Sequence, residues 1–298
     1  MSGSNAQKAL GWGALTAAGL LGYAAGVEPF LIETVHQEIS LPRLPLAFDG
    51  YTIYIVSDLH TRRFGPREEL VRSILNSLPE PDLLALPGDM VHTGMGIAPF
   101  LKLAQSFRAR DGVYAVYGNS EYKNGIRPKA FAKTLADNDI VPLLNRSLTI
   151  TRGDDELEIA GVDDPVNWVD DVDVALQDVP EERCVVMLMH SPDSIAHAVR
   201  RGVDLVLSGH THGGQIRFPL IGSPYTHVSI GPRMSSGYYA RVKLKECIGI
   251  WPGRTQLYVT RGIGVSGLAL RFLCRPEFTI LTLRRGKPGI VRRPVPSL

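Results

Sequence analysis

Ser208-Gly209-His210-Thr211-His212-Gly213-Gly214 follows directly on the apolar run Val203-Asp204-Leu205-Val206-Leu207, and this junction decides how the chain is read. Two imidazoles one residue apart, where a buried strand meets a glycine-rich turn, can both reach one small cation site because the turn re-aims the backbone between them. A His-x-His pair alone is weak. Four other apolar runs end in the same way, which makes it strong. Tyr51-Thr52-Ile53-Tyr54-Ile55-Val56 runs into Ser57-Asp58-Leu59-His60, and Leu83-Leu84-Ala85-Leu86 into Pro87-Gly88-Asp89. Val113-Tyr114-Ala115-Val116-Tyr117 runs into Gly118-Asn119-Ser120-Glu121, and Val185-Val186-Met187-Leu188-Met189 into His190-Ser191-Pro192. Metal-ligating residue types thus recur at five strand exits, the place where open α/β sheets carry their sites.

The 298 residues suffice for one large domain with a substantial core. With 32 Lys and Arg against 30 Asp and Glu, charge is nearly balanced, and the basic residues are not interleaved with aromatics. No nucleic-acid footprint follows. Cys184, Cys247 and Cys274 are odd in number and far apart, which argues against a disulfide framework or a zinc knuckle; Cys184 and Cys274 read as buried thiols.

Residues 1–30 contain the uncharged stretch Ala9 to Val27, which as a helix would reach roughly 28 Å, just enough to cross a hydrocarbon layer. Five glycines and six alanines make the stretch only mildly apolar. The expectation is an uncleaved, single-pass N-terminal membrane anchor. Lys8 before it and Glu28, Glu33 and Glu38 after it lean toward an inside amino terminus. Residues 31–50 read as a linker, with the Pro-containing Leu41 to Asp49 as extended chain or a first edge strand.

The catalytic unit is expected at 51–285. Strand and helix alternate: Pro66-Arg67-Glu68-Glu69 opens a helix, others lie near Pro99 to Phe107 and Pro128 to Ala136, and parallel strands with right-handed crossovers follow. Ser147 to Thr151 and Glu156 to Ala160 then form a hairpin around Gly153-Asp154-Asp155. Asp193 to Val199 is a helix, Gln256 to Thr260 and Phe278 to Leu283 are expected to close a second sheet, and Gly213 to Pro252 reads as irregular loops. The basic tail 286–298, with Arg292 and Arg293 among prolines, reads as disordered.

Asp58, His60, Asp89, Asn119, His190, His210 and His212 supply seven oxygen and nitrogen ligands, which suits two divalent metals sharing a carboxylate; Asp89, alone after a Pro-Gly turn, is the natural bridge. Such a pair, about 3.5 to 4 Å apart, clamps the attacking and departing oxygens of an in-line displacement at phosphorus. Imidazole with carboxylate suits Mn, Fe or Zn.

In their order and spacing, Asp58-x-His60, Gly88-Asp89, Gly118-Asn119, His190 and Gly209-His210-x-His212 resemble the calcineurin-like metallophosphoesterases. Ser208 to Gln215, Val259-Thr-Arg-Gly-Ile-Gly264 and Arg275-Pro-Glu-Phe-Thr-Ile-Leu281 look like the membrane-associated bacterial phosphodiesterase branch, which includes a UDP-2,3-diacylglucosamine pyrophosphatase of lipid A biosynthesis. The resemblance implies a four-layer α/β/β/α sandwich and two metals, with manganese first. It places Asp58, His60, Asp89 and His212 on one metal and Asp89, Asn119, His190 and His210 on the other. The family's Asn is usually followed by His, which assists the leaving group, whereas this chain has Ser120. General acid catalysis typically contributes about 10² to 10⁴-fold, so its loss fits a good leaving group such as a phosphate.

Around the centre, Ser120, Arg62, Arg63 and Trp168 are substrate candidates, and Arg217 has similar standing to the other arginines, with solvated or packed loop residues as the competing reading. Glu121 reads as a hydrogen-bond acceptor behind the ligands, His92 as a loop residue near the mouth, and His36, His197 and His227 as structural. The expected activity is a two-metal phosphohydrolase acting on a phosphodiester or diphosphate in a lipid-linked or nucleotide-diphospho substrate such as UDP-2,3-diacylglucosamine. A broad-specificity exported phosphodiesterase and a non-catalytic membrane scaffold are the alternatives.

Overall fold

A computed structural model describes residues 3–123 and 125–290. The chain opens with helix α1 (Gly3–Gly26), then strands β1 (Glu33–Leu41) and β2 (Thr52–Ile55). Alternation follows through α2 (Pro66–Ser77), β3 (Leu83–Pro87), α3 (Ile97–Ala104), β4 (Val113–Val116), α4 (Pro128–Ala136) and β5 (Ile140–Pro142). The hairpin β6 (Arg146–Arg152) and β7 (Asp155–Gly161) precedes α5 (Val172–Ala175), β8 (Cys184–Leu188), α6 (Ile195–Arg200) and β9 (Leu205–Ser208). Last come β10 (Gly237–Ala240), α7 (Arg241–Ile248), β11 (Gln256–Val259), β12 (Glu277–Arg285) and β13 (Gly289–Ile290).

Two sheets result, ordered β13-β1-β12-β2-β3-β4-β5 and β10-β11-β9-β8-β7-β6. Side chains alternate along each strand, and the alternation sorts them into layers. Ile53 and Ile55 of β2 meet Leu157, Val186 and Leu205 of the other sheet in the core between the sheets. Tyr54 and Val56 face outward to Val71 of α2, Phe100 of α3 and Phe131 of α4. Val185, Met187 and Val206 are covered by α5, α6 and α7 through Val172, Ile195 and Leu244. Helices therefore flank two stacked sheets, the four-layer arrangement expected. α2 begins where expected, because Pro66 sits in its first turn and the Glu68 carboxylate accepts from the Gly65 N–H at 3.0 Å.

Three stretches differ from expectation. Within the presumed linker 31–50, Glu33–Leu41 is a nine-residue strand in parallel register with β12 along its whole length. Phe278 to Leu283 lies in the first sheet, not the second, since β12 pairs with β1 and β2. Gly213 to Pro252 holds β10 and α7 among its loops, and β10 forms an edge of the second sheet. In the basic tail, Gly289–Ile290 pairs with β1, while residues 291–298, with Arg292 and Arg293, lie outside the described residues.

The N-terminal stretch is helical as expected, yet no helix among the described residues is long and apolar enough to cross a membrane. Its glycines and alanines carry too little apolar surface for its length. The helix is not detached from the rest, however. The Arg271 N–H donates to the Ala24 carbonyl at 2.8 Å, and the buried Glu28 carboxylate accepts from the Leu273 and Cys274 N–H groups.

Ile55 is fully buried where the two sheets meet. Ile55→Ala is expected to cost about 2–5 kcal/mol, read as a lower urea midpoint with an unchanged denaturant slope.

Candidate metal centre

All the ligand-bearing segments leave the C-terminal ends of parallel strands, and parallel pairing continues past the strands into the loops. The Asp58 N–H donates to Gly88 O and the His60 N–H to Asp89 O, while on the other sheet Gly209 N–H donates to His190 O. The two sheets then meet directly: the His210 N–H reaches both carboxylate oxygens of Asp58, at 3.0 and 3.2 Å.

Two buried groups emerge, Asp58 with His60 and His212, and Asp89 with His190 and His210, each offering ligand atoms within 4.8 Å of one another. Asp89 joins them, since its Oδ2 lies 3.3 Å from His60 Nε2 and 3.5 Å from His190 Nε2. This fits the expected bridging role. His190 Nδ1 donates to the Pro87 carbonyl at 2.8 Å, which orients the ring so that Nε2 faces Asp89. His60 Nε2 and His212 Nε2 face each other at 3.1 Å, and His210 Nδ1 and His190 Nε2 at 3.0 Å. The Asn119 Oδ1 is buried with no hydrogen-bond partner. Converging carboxylates, imidazole nitrogens and a bare amide oxygen are the donor set that divalent cations take.

The backbone is bent hard to achieve this. Asp58, His60, Asp89, His210 and His212 all have left-handed φ, between 45° and 67°, a conformation costing an L-residue about 1–2 kcal/mol. Such strain concentrates at functional positions. Glycines clear the space beside the ligands: a Cβ on Gly118 would lie 2.4 Å from Asp89 Oδ1, and one on Gly209 2.3 Å from Asp58 Oδ2. Behind Asp89, the Glu121 carboxylate accepts from the N–H groups of Gly118 at 2.8 Å, Asp89 at 3.0 Å and Val91 at 3.2 Å. It ties the β3 and β4 exits together, as the sequence suggested.

Burial dominates the electrostatics. It pushes Asp58 up to about 6, with Asp89 adding to the effect, and pulls His60 down to about 4 and His210 to about 3. His212 lies well below the usual imidazole range through burial and the neighbouring His60. Burial alone would raise Asp89, but His190 and His60 hold its carboxyl well below the carboxylate range. Burial would equally lower His190, which Asp89 instead holds up at about 10.

Other candidates fall less centrally. Ser120 is buried, its N–H on Asp89 Oδ1 at 2.8 Å and its Oγ 3.3 Å from His60 Nδ1, so it supports ligands from behind. Arg62 lies at the rim, 2.8 Å from His92 Nε2, and Arg63 beside it in a cleft that His60 also lines. Trp168 is 91% exposed, on a turn next to the Asn119–Tyr122 turn. Arg217 instead donates to Ser236. His227, read as structural, has its ring 5.9 Å from that of His210 and 6.4 Å from that of His212.

Sequence reasoning missed Arg271, which is fully buried, donates to the carbonyls of Gly264, Arg261 and Gly262, and comes within 3.4 Å of His212 Nδ1. The signal was available: it is the lone cation in the apolar stretch Val265 to Cys274.

Residues 51–214 match the calcineurin-like phosphoesterase family. The chain is 32% identical to the uncharacterized metallophosphoesterase YkuE of Bacillus subtilis (strain 168), covering 93% of this chain and 94% of that protein. It is 29% identical to the phosphodiesterase YaeI of Escherichia coli (strain K12), covering 88% and 92%. A transmembrane protein with metallophosphoesterase domain from Bos taurus is 29% identical over 90% of this chain, which spans 60% of that longer protein.

Gly118→Ala forces a methyl group against Asp89 and His190. Metal analysis of the purified variant is expected to show loss of bound manganese or zinc relative to wild type, while far-UV circular dichroism stays unchanged.

Proposed function

Because this chain belongs to the calcineurin-like phosphoesterase family, whose members are metal-dependent phosphoester hydrolases, we propose that its two joined residue groups serve the cleavage of a phosphodiester or diphosphate bond. The observation that carries this reading is the position of Asp89 Oδ2 between His60 and His190, which links both groups through one carboxylate. Asp58, His60, Asp89 and His212 would hold one divalent ion and Asp89, Asn119, His190 and His210 the other, with manganese the first choice. Such ions supply Lewis acidity toward phosphoryl oxygens and lower the pKa of bound water.

The chain's own residues then set what is bound and what leaves. Arg62 and Arg63 offer guanidinium groups to an anionic substrate at the rim, where charge-assisted hydrogen bonds orient phosphate. Ser120 Oγ lies 3.3 Å from His60 Nδ1, and a serine hydroxyl is too weak an acid to replace an imidazolium as proton donor to a departing oxygen. A leaving group that is stable without a proton is therefore preferred, which supports a diphosphate or an activated ester. A lipid-linked or nucleotide-diphospho substrate fits that demand. The exposed Trp12, Leu15, Leu20 and Leu21 of α1, whose apolar surface a lipid layer would take out of water, support placing the enzyme at a membrane surface.

Manganese-loaded protein is expected to turn over bis(p-nitrophenyl) phosphate. Asp89→Ala, which removes the shared carboxylate, should lower kcat/KM by about 10³-fold, equivalent to about 4 kcal/mol of lost transition-state stabilisation. Absence of turnover in wild type under any divalent metal would favour a scaffold instead. Vesicle co-sedimentation checks the membrane placement: binding that survives Trp12→Ser with Leu15→Ser would count against it.

A further inference from the structure

The cleft of about 360 Å³ that His60 helps to line is of mixed character. Arg62, Arg63, Arg67 and Glu68 bring charge to it, and Ala25, Pro29 and Phe30, at the base of α1, give it an apolar wall. Val265 and Ala269 add apolar surface from the loop that follows β11. We propose that this apolar wall is a specificity determinant that takes an aliphatic substituent carried by the phosphate group under cleavage, with Phe30 as its main contact.

The wall is built into the enzyme. Glu28, only 1% exposed, accepts from the backbone N–H groups of Leu273 and Cys274, and Ala24 O accepts from the Arg271 N–H at 2.8 Å. Arg271 in turn holds the Gly264 carbonyl and approaches His212. The base of α1 is thus fixed to the loop that packs behind the metal ligands, and its position relative to His60 is set. Phe30 is 39% exposed, which leaves part of its side chain open in the cleft.

Charge and polarity name the occupant. A phosphoester reaching His60 lies within the field of Arg62 and Arg63, and the cleft offers the substituent it retains a place to lie. An aliphatic chain removes apolar surface from water there; a bare sugar or inorganic phosphate does not. Continuity with the metal centre through His60 separates this wall from the other exposed apolar residues of the chain.

This inference rests on the hydrolase reading above, and its test separates the two. p-Nitrophenyl ethyl phosphate and p-nitrophenyl octyl phosphate share a leaving group and differ only in the retained chain. With manganese-loaded protein and the octyl ester below its micelle concentration, the octyl-to-ethyl ratio of kcat/KM is expected to be about tenfold or more in wild type. Phe30→Ser is expected to bring that ratio to about one, and Phe30→Leu to restore most of it. A wild-type ratio near one overturns the proposal, as does a Phe30→Ser variant in which both esters slow together with the ratio kept. If neither ester is hydrolysed, the hydrolase reading fails, and calorimetry with ethyl phosphate and octyl phosphate decides the wall by itself. Octyl phosphate binding at least about tenfold tighter, lost in Phe30→Ser, supports it; equal binding overturns it.

Discussion

One carboxylate holds the centre together. Asp89 Oδ2 is 3.3 Å from His60, a member of one ligand group, and 3.5 Å from His190, a member of the other. All these side chains are buried, and burial of charge is tolerated only when opposite charge or coordination compensates it. The rest of the fold can be understood as the means of bringing these groups to one point with their carboxylates and ring nitrogens partnered, while the buried Asn119 Oδ1 is left bare. Glu121 collects the N–H groups around Asp89, Pro87 orients the His190 ring, and Asp58 takes the His210 N–H across the join between sheets.

That convergence needs two sheets, because the ligands split between them. Asp58, His60, Asp89 and Asn119 leave β2, β3 and β4, whereas His190, His210 and His212 leave β8 and β9. Stacking the sheets about their shared apolar core aligns the exits at one edge. Left-handed backbone at five ligand positions and glycines at Gly118 and Gly209 then allow the loops to close without collision. At the site, strain and close approach fall on the loops, while the strands feeding it are regular and apolar.

The amino-terminal helix changes meaning in this light. Read alone, its composition suggests a span; folded, it is an arm whose base is bonded to the Arg271 loop and forms one wall of the cleft at His60. Arg271 has no carboxylate among the hydrogen-bond partners found for it; its donors go chiefly to backbone carbonyls. Burying a guanidinium in that way orders several loop segments at once, and one of them carries His212.

The seven ligand candidates, the helices on Pro66 and Pro128 and the β6–β7 hairpin were all legible in the amino-acid sequence, for a common reason: each is encoded locally. Apolar runs that stop at Gly, Pro, Asp, Asn or His mark strand exits, a proline ahead of an amphipathic stretch marks a helix start, with acids added after Pro66, and a Gly-Asp-Asp turn marks a hairpin. Tertiary structure alone decided that β12 belongs to the first sheet, that Glu33–Leu41 is a strand, that His227 stands beside His210, and that Ser120 lies behind His60. These are matters of which distant segment a hydrogen-bonding edge or a ring meets, and side-chain periodicity carries no record of that partner. The same holds for Phe30, an unremarked apolar residue in the chain that acquires a role only because Glu28 ties its neighbourhood to residues almost 250 positions away.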